Sequence, residues 1–338
     1  VTKRKTKQNR ITAPEAKRGP LKVCHWSLAN GSGMANVAQS MVDAEKKLGL
    51  DSIFLNIETD AVWDQALDAD IHVSHTHIPV IYRGKAFQKQ VTKPFRMVGV
   101  FHGTPNHVFE GSVHAGENGA YAPSNSLMIM QHDLKRSHAR VTFWERHKAI
   151  YDTMMFEGTR THLVPMGIDL AFWKAGASRG KYQGNPSVWT GENAHEIKWP
   201  LDLFTMWPWV SAEVDDAYLH ACYVPFDQHR FWFPWVHANG AYYRAHIGSW
   251  TYPHEELRNI FKSVDYVCGL VGKGDFNRLS LEANAAGCKT VSYAGNQFSD
   301  FWIHEGDERE QSRELIEILN GNVEPRKKTL VPDQSETA

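Results

Sequence analysis

The side chains best placed to do chemistry lie near the C-terminal end, in Lys273-Gly-Asp-Phe-Asn-Arg-Leu-Ser-Leu-Glu282-Ala-Asn-Ala-Ala-Gly287-Cys-Lys-Thr-Val-Ser-Tyr293. A glycine loop opens a short helix here. Gly287 is placed to end that helix in the left-handed conformation, and a β-rich run, Thr290 to Tyr293, follows at once. Loop, helix and buried strand in such close succession suit a ligand pocket at the edge of a parallel sheet. Asp275 and Glu282 are its carboxylates, suited to accept hydrogen bonds from ligand hydroxyls. A helix cap or turn explains Asp275 equally well.

Three more groups share this logic. His102-Gly-Thr ends the apolar strand Arg96–Phe101, at the edge where open α/β sheets bind ligands, and His102 can donate a hydrogen bond to a hydroxyl. The competing reading is a structural loop histidine in a chain that holds 18 of them. Asn30-Gly-Ser-Gly33 follows the first strand. Gly31 and Gly33 let the backbone approach a ligand, and the helix start behind them favours phosphate. The run falls short of GxGxxG, so an ordinary βα turn fits it as well. Lys198 ends Gly191-Glu192-Asn193-Ala-His-Glu-Ile-Lys198, a strand–loop–helix junction where an ammonium can meet a diphosphate with help from the helix dipole. The plain alternative is an exposed helix lysine.

The elements that must hold these residues alternate. Strands are expected at 21–26, 51–57, 71–74, 96–101, 139–144, 162–165, 187–190, 217–224, 266–271 and 290–293. Helices are expected at 34–48, closed by Gly49, and at 133–139, 148–157, from Lys198 with Pro200 near its start, at 253–263 and at 307–319. Strand–helix alternation predicts parallel, doubly wound sheets, class α/β. A basic tail, 1–20, is expected to be disordered: seven Lys/Arg there face one acid. Domains follow at 21–166 and 167–304, then a terminal helix at 305–320 and a frayed end at 321–338.

The C-terminal stretch resembles the donor-sugar motif of family 4 glycosyltransferases with the GT-B fold. That family has an acidic loop, a helix carrying a glutamate, and an Ala-x-Gly-x-x-Val-Val-like turn into a strand. The match rests on Glu282, Ala285, Ala286, Gly287 and the strand after them. The resemblance implies two Rossmann-like doubly wound domains facing a cleft, with the terminal helix free to cross back to the first. It also implies a hexosyl-type transfer, with retention, from a nucleoside-diphosphate sugar to an acceptor hydroxyl on a glycan or another molecule. The donor is a substrate, and no cofactor or metal is expected. The donor pocket would draw on Gly31, Gly33, Gly191, Lys198, Gly274, Phe276, Asn277, Arg278, Leu279 and Glu282. Glu282 would hold the ribose, Lys198 the diphosphate, and Asp275 and His102 the transferred sugar. Two positions depart from the family. Its first glutamate falls on Gly274, with Asp275 one residue later, and Glu192 stands where it usually has arginine.

Composition narrows the class. The apolar fraction is 42% and the charged fraction 22%, as in globular proteins. The four cysteines lack CxxC spacing and read as reduced buried thiols, pointing to the cytoplasm. No apolar run reaches membrane-spanning length, and none follows the basic start as a secretory leader requires. Seven of the twelve tryptophans lie between Trp189 and Trp250. Core packing is their usual role, with Phe231-Trp-Phe-Pro-Trp235 the best exposed platform. The alternate spacing of His72, His75 and His77 is read as one strand face turned towards the cleft, but three neutral histidines without a fourth ligand are weak evidence for zinc. Three other functions stay open: a sugar-nucleotide 2-epimerase, a non-catalytic nucleotide-sugar or glycan binder, and a transferase on hydroxylated DNA bases. The basic tail allows nucleic acid as a partner, but the mildly acidic body disfavours it.

Overall fold

A computed structural model describes residues 19–27, 33–56, 66, 68–75, 95–102, 137–153, 160–178, 180–191, 200–221, 242–247, 253–270, 278–304 and 306–326. The described residues fall into two compact units: those up to His102, 137–142 and Tyr151–Leu163 in the first, and Phe143–Ile150 and those from Val164 onward in the second.

The first unit carries a parallel sheet of β1 (Lys22–Ser27), β2 (Asp51–Asn56), β3 (Ile71–Ser74), β4 (Arg96–Phe101), β5 (Ala139–Thr142) and β6 (Thr161–Leu163), in the order β2-β1-β3-β4-β5-β6. Helix α1 (Gly33–Lys47) connects β1 to its neighbour β2. It buries Val37, Ala38 and Val42, one helical stripe. Gly49, at φ +82°, ends α1: its N–H bonds to Lys46 O and the Leu50 N–H to Glu45 O, a Schellman closure that needs a left-handed residue. Between β5 and β6 runs α2 (Glu145–Thr153). The helix expected at 133–139 is corrected at its end, because Ser137 and His138 are irregular and Ala139 already pairs with Val98 in the sheet.

The second unit contains α3 (Leu170–Lys174), β7 (Ser187–Thr190), α4 (Pro200–Glu213), β8 (Tyr218–Ala221), β9 (Ala245–Ile247), α5 (His254–Phe261), β10 (Tyr266–Gly269), α6 (Arg278–Ala285), β11 (Lys289–Tyr293), β12 (Phe301–Ile303) and α7 (Glu308–Leu319). Its strands are again parallel, ordered β12-β11-β10-β7-β8-β9. Alternation along the strands splits the core in two. Val188, Tyr266 and Cys268 face one side with Leu203, Trp207 and Leu315, whereas Trp189 and Val267 face the other with Trp173, Phe261 and Ala283. Helices therefore cover both faces, which is why β7 and β10 are buried at every position. Asp265 sets the register of these two strands by accepting from the Ser187 N–H at 2.8 Å and the Ser187 hydroxyl at 2.9 Å.

The terminal helix α7 buries Leu315, Ile316, Ile318 and Leu319 in the core of the second unit, against α4. The chain after it folds back over the sheet edge. The Arg326 N–H bonds to Asp300 O at 2.8 Å, and its guanidinium lies 3.1 Å from the centre of the Trp302 ring. Among the described residues, no helix is long and apolar enough to cross a membrane.

Candidate functional site

Each sheet has one place where the order of connection reverses. In the first, the chain goes from β1 outward to β2 and then returns to the other side of β1 as β3. In the second, β7, β8 and β9 run one way before β10 pairs with the opposite side of β7. Loops diverge at such switch points, leaving a crevice beyond the strands' C-terminal ends. Of the residues singled out from sequence, Gly33, His102, Gly191, Arg278, Leu279 and Glu282 are described, each in or just before an element that follows a strand of these sheets or directly after such a strand.

At the second switch point, Gly191 follows β7, and α6 begins a short way after β10. Within α6, Arg278 and Glu282 stand one turn apart. The Arg278 Nε donates to Glu282 Oε1 at 2.6 Å, and only 7% of the Glu282 side chain is exposed. Burial pushes the Glu282 carboxyl above its ordinary range; the Arg278 charge and hydrogen bond oppose this without cancelling it. Two buried polar atoms of the same helix, Arg278 Nη1 and Ser280 Oγ, have no hydrogen-bond partner. Such atoms are uncommon in folded proteins and suit a polar ligand. α6 ends as its sequence dictates. Gly287 has φ +90°, its N–H bonds to Asn284 O and the Cys288 N–H bonds to Ala283 O, and the chain enters β11. Behind the site, Asp300 accepts from the Thr290 N–H, the Thr290 hydroxyl and Asn284 Nδ2, which ties α6 to the start of β11.

At the first switch point, His102 follows β4 and is half-buried. Its Nε2 lies 3.0 Å from His75 Nδ1, and His75 Nε2 lies 3.0 Å from His25 Nδ1 on β1. His25 Nε2 is 2.9 Å from Glu45 Oε2 of α1, which also accepts from the Ser52 hydroxyl at 2.6 Å. Burial, then the neighbouring His102 and His25, hold His75 well below the usual histidine range. Burial works to raise the Glu45 pKa, but hydrogen bonds from His25 and Ser52 and the His25 charge bring it below the ordinary value.

Comparison with solved structures gives extended matches at low sequence identity. The chain matches HepE (Alr3699) from Anabaena, solved with UDP and glucose, at a TM-score of 0.62 and 12% identity, over 94% of this chain and 91% of that one. Sucrose-phosphate synthase from Thermosynechococcus elongatus gives 0.67 and 11%, over 89% and 90%. An alpha-glucosyltransferase (AGT), solved in complex with UDP, gives 0.60 and 12%, over 88% and 91%. The chain has the GT-B fold. No family model matches the sequence, and no curated protein matches it.

Within this GT-B chain the expected site residues have different fates. Arg278, Leu279 and Glu282 share α6, but Leu279 packs against the apolar cluster around Ile260 and Ala283. Gly191 has a local reason to lack a side chain: an added Cβ would overlap the Trp189 indole. Gly33 opens α1. Gly31, Lys198, Gly274, Asp275, Phe276 and Asn277 lie outside the described residues, as do Phe231–Trp235 and the basic tail.

The shared histidine face is corrected. Trp26 Nε1 donates to His72 Nδ1, whereas His75 bonds to His25. Positions three apart on a strand point to opposite faces, so His72 and His75 cannot serve one site; His77 lies outside the described residues. Sequence reasoning missed His25 and Glu45. The available signals were a histidine inside the buried run Cys24–Trp26 and an acid in the last turns of α1.

Proposed function

We propose that this chain transfers a sugar from a nucleoside-diphosphate sugar to an acceptor hydroxyl, as a relative of family 4 glycosyltransferases acting with retention. The observation that carries the reading is the buried Arg278–Glu282 pair at the second switch point, with Arg278 Nη1 and Ser280 Oγ unsatisfied beside it. An unfavourably buried carboxyl in a ligand-binding position is a functional signature. Arg278 occupies Oε1, so Oε2 is the atom offered to a ribose hydroxyl. The GT-B fold and the presence of UDP in two of the matched structures support a nucleotide as ligand.

In the reaction, the bond from the anomeric carbon to the diphosphate oxygen breaks and a bond to the acceptor oxygen forms. The acceptor's proton leaves with the diphosphate, so no strong protein base is required. The chain's task is to stabilise charge on the departing diphosphate through Lys198 and backbone N–H groups at helix starts. Asp275 and His102 would orient the sugar.

The test combines thermal stabilisation by a panel of nucleotide sugars with an assay of transfer and donor hydrolysis. Glu282→Ala and Lys198→Ala are each expected to impair transfer, and full activity in both refutes the site. Conversion of donor alone to an epimer would replace transfer with epimerisation. Stabilisation without turnover would identify a binding protein.

A further inference from the structure

His75 stands between two other imidazoles. Its Nε2 lies 3.0 Å from His25 Nδ1, and its Nδ1 lies 3.0 Å from His102 Nε2. His25 and His75 are both buried. A hydrogen bond between two ring nitrogens holds one proton, whichever ring donates it. The two contacts therefore keep two protons on four nitrogens. The outer nitrogens, His25 Nε2 and His102 Nδ1, add at most one each. Three rings joined in this way carry four protons at most, and three protons make all of them neutral. The set can hold a single positive charge, wherever that charge resides and whichever way the bonds run.

We propose that His25, His75 and His102 form an acid-sensitive latch on the first unit, closed while no more than one of them is an imidazolium and broken at a ring-to-ring bond by the next proton. The links join β1 to the residues just after β3 and β4, across three neighbouring strands. The titratable groups facing His75 are His25 from β1 and His102 from the end of β4. Glu45 of α1 lies on the far side of His25, 2.9 Å from its Nε2, so it can settle one charge in the set and not two. His72 is turned to the other face, where it accepts from Trp26. Burial, with His102 and His25 alongside, holds His75 well below its unfolded value of 6.5. Its contribution to stability is thus fully present above 6.5 and is lost as pH falls below that towards the folded value. Once the latch is open, all three rings charge in acid, so opening takes up at least two protons. The latch needs no ligand and stands apart from the function proposed above.

Hydrogen exchange of the full chain tests the proposal from about pH 8 to about pH 5. It is read by mass spectrometry over residues 22–27 and 71–75, which hold β1 and β3, and corrected for the intrinsic pH dependence of amide exchange. Uptake of two protons makes the opening constant rise about 100-fold per pH unit once pH is below the ordinary histidine range. In His75→Gln the middle ring is gone, so the outer two can each take a proton and the dependence should flatten. Equal pH dependence in the two proteins overturns the proposal. Should His75→Gln fail to fold, ring 15N spectra of the wild type decide. A second imidazolium in the set that appears only as exchange rises supports the latch, as does a set that never exceeds one. Two imidazolium rings in acid, with exchange no faster than in base after correction, overturn it.

Discussion

Arg278 and Glu282 meet at 2.6 Å across one turn of α6, and Glu282 is nearly sealed from water. Removing one member of a buried pair costs more than replacing it with a neutral group of the same shape. Arg278→Met, which strands the carboxylate, is expected to lower unfolding free energy by about 3 kcal/mol. Glu282→Gln keeps an acceptor for Arg278 and should stay within about 1 kcal/mol of wild type. Urea denaturation of both variants checks this, and nucleotide-sugar binding should weaken in Glu282→Gln despite its intact stability.

The pH dependence has a definite sign. The folded-state pKa of Glu282 is raised from 4.5, chiefly by burial. In the window above 4.5 the folded chain therefore binds more protons at this residue than the unfolded chain does. Its contribution to stability is fully present below 4.5 and is lost as pH rises through the folded value. Glu282→Gln should consequently gain on wild type as pH is raised across that window, with the difference vanishing in acid. Paired denaturant midpoints over the pH range provide the measurement.

Two glycines separate backbone strain from steric overlap. Gly287 has φ +90°, and an added Cβ would meet nothing within 4 Å, so Gly287→Ala should cost only the left-handed conformation, about 1–2 kcal/mol. Gly184 has φ +108°, and its Cβ would collide with the Tyr218 side chain. Gly184→Ala is expected to cost more than Gly287→Ala in thermal denaturation, because backbone must shift as well.

Strand positions were readable because apolar runs such as Val23–Trp26 and Tyr266–Gly269 are buried at every position. Gly287 was readable because helix termination is local chemistry. The packing of α7 was not, since an amphipathic helix reveals which face is buried and not which partner buries it. The Glu45–His25–His75–His102 line was hidden for a related reason. Its members come from β1, α1 and the ends of β3 and β4, and they meet only once the strand order β2-β1-β3-β4 is known. Arg278 was visible as part of the motif, but its bond to Glu282 became apparent only with the helix built.

Cys24, Cys268 and Cys288 are buried thiols outside any disulfide. Burial pushes the Cys268 thiol up to about 12. It raises Cys288 further, with nearby Asp265 adding to the effect. Thiolates are the reactive form, so a thiol reagent at pH near 8 should modify none of these three in the folded chain and all of them in denaturant. Mass spectrometry of the labelled protein resolves the positions.

Arg326 closes over the border of the second sheet. Among the described residues β12 pairs only with β11 in its sheet, and an outermost strand with unpaired backbone groups is a template for a second chain. The Arg326 bond to Asp300 O and its cover over Trp302 occupy that border. A chain cut back to Asn320 would keep its two cores and lose its solubility, with light scattering rising at concentrations where the longer chain stays clear.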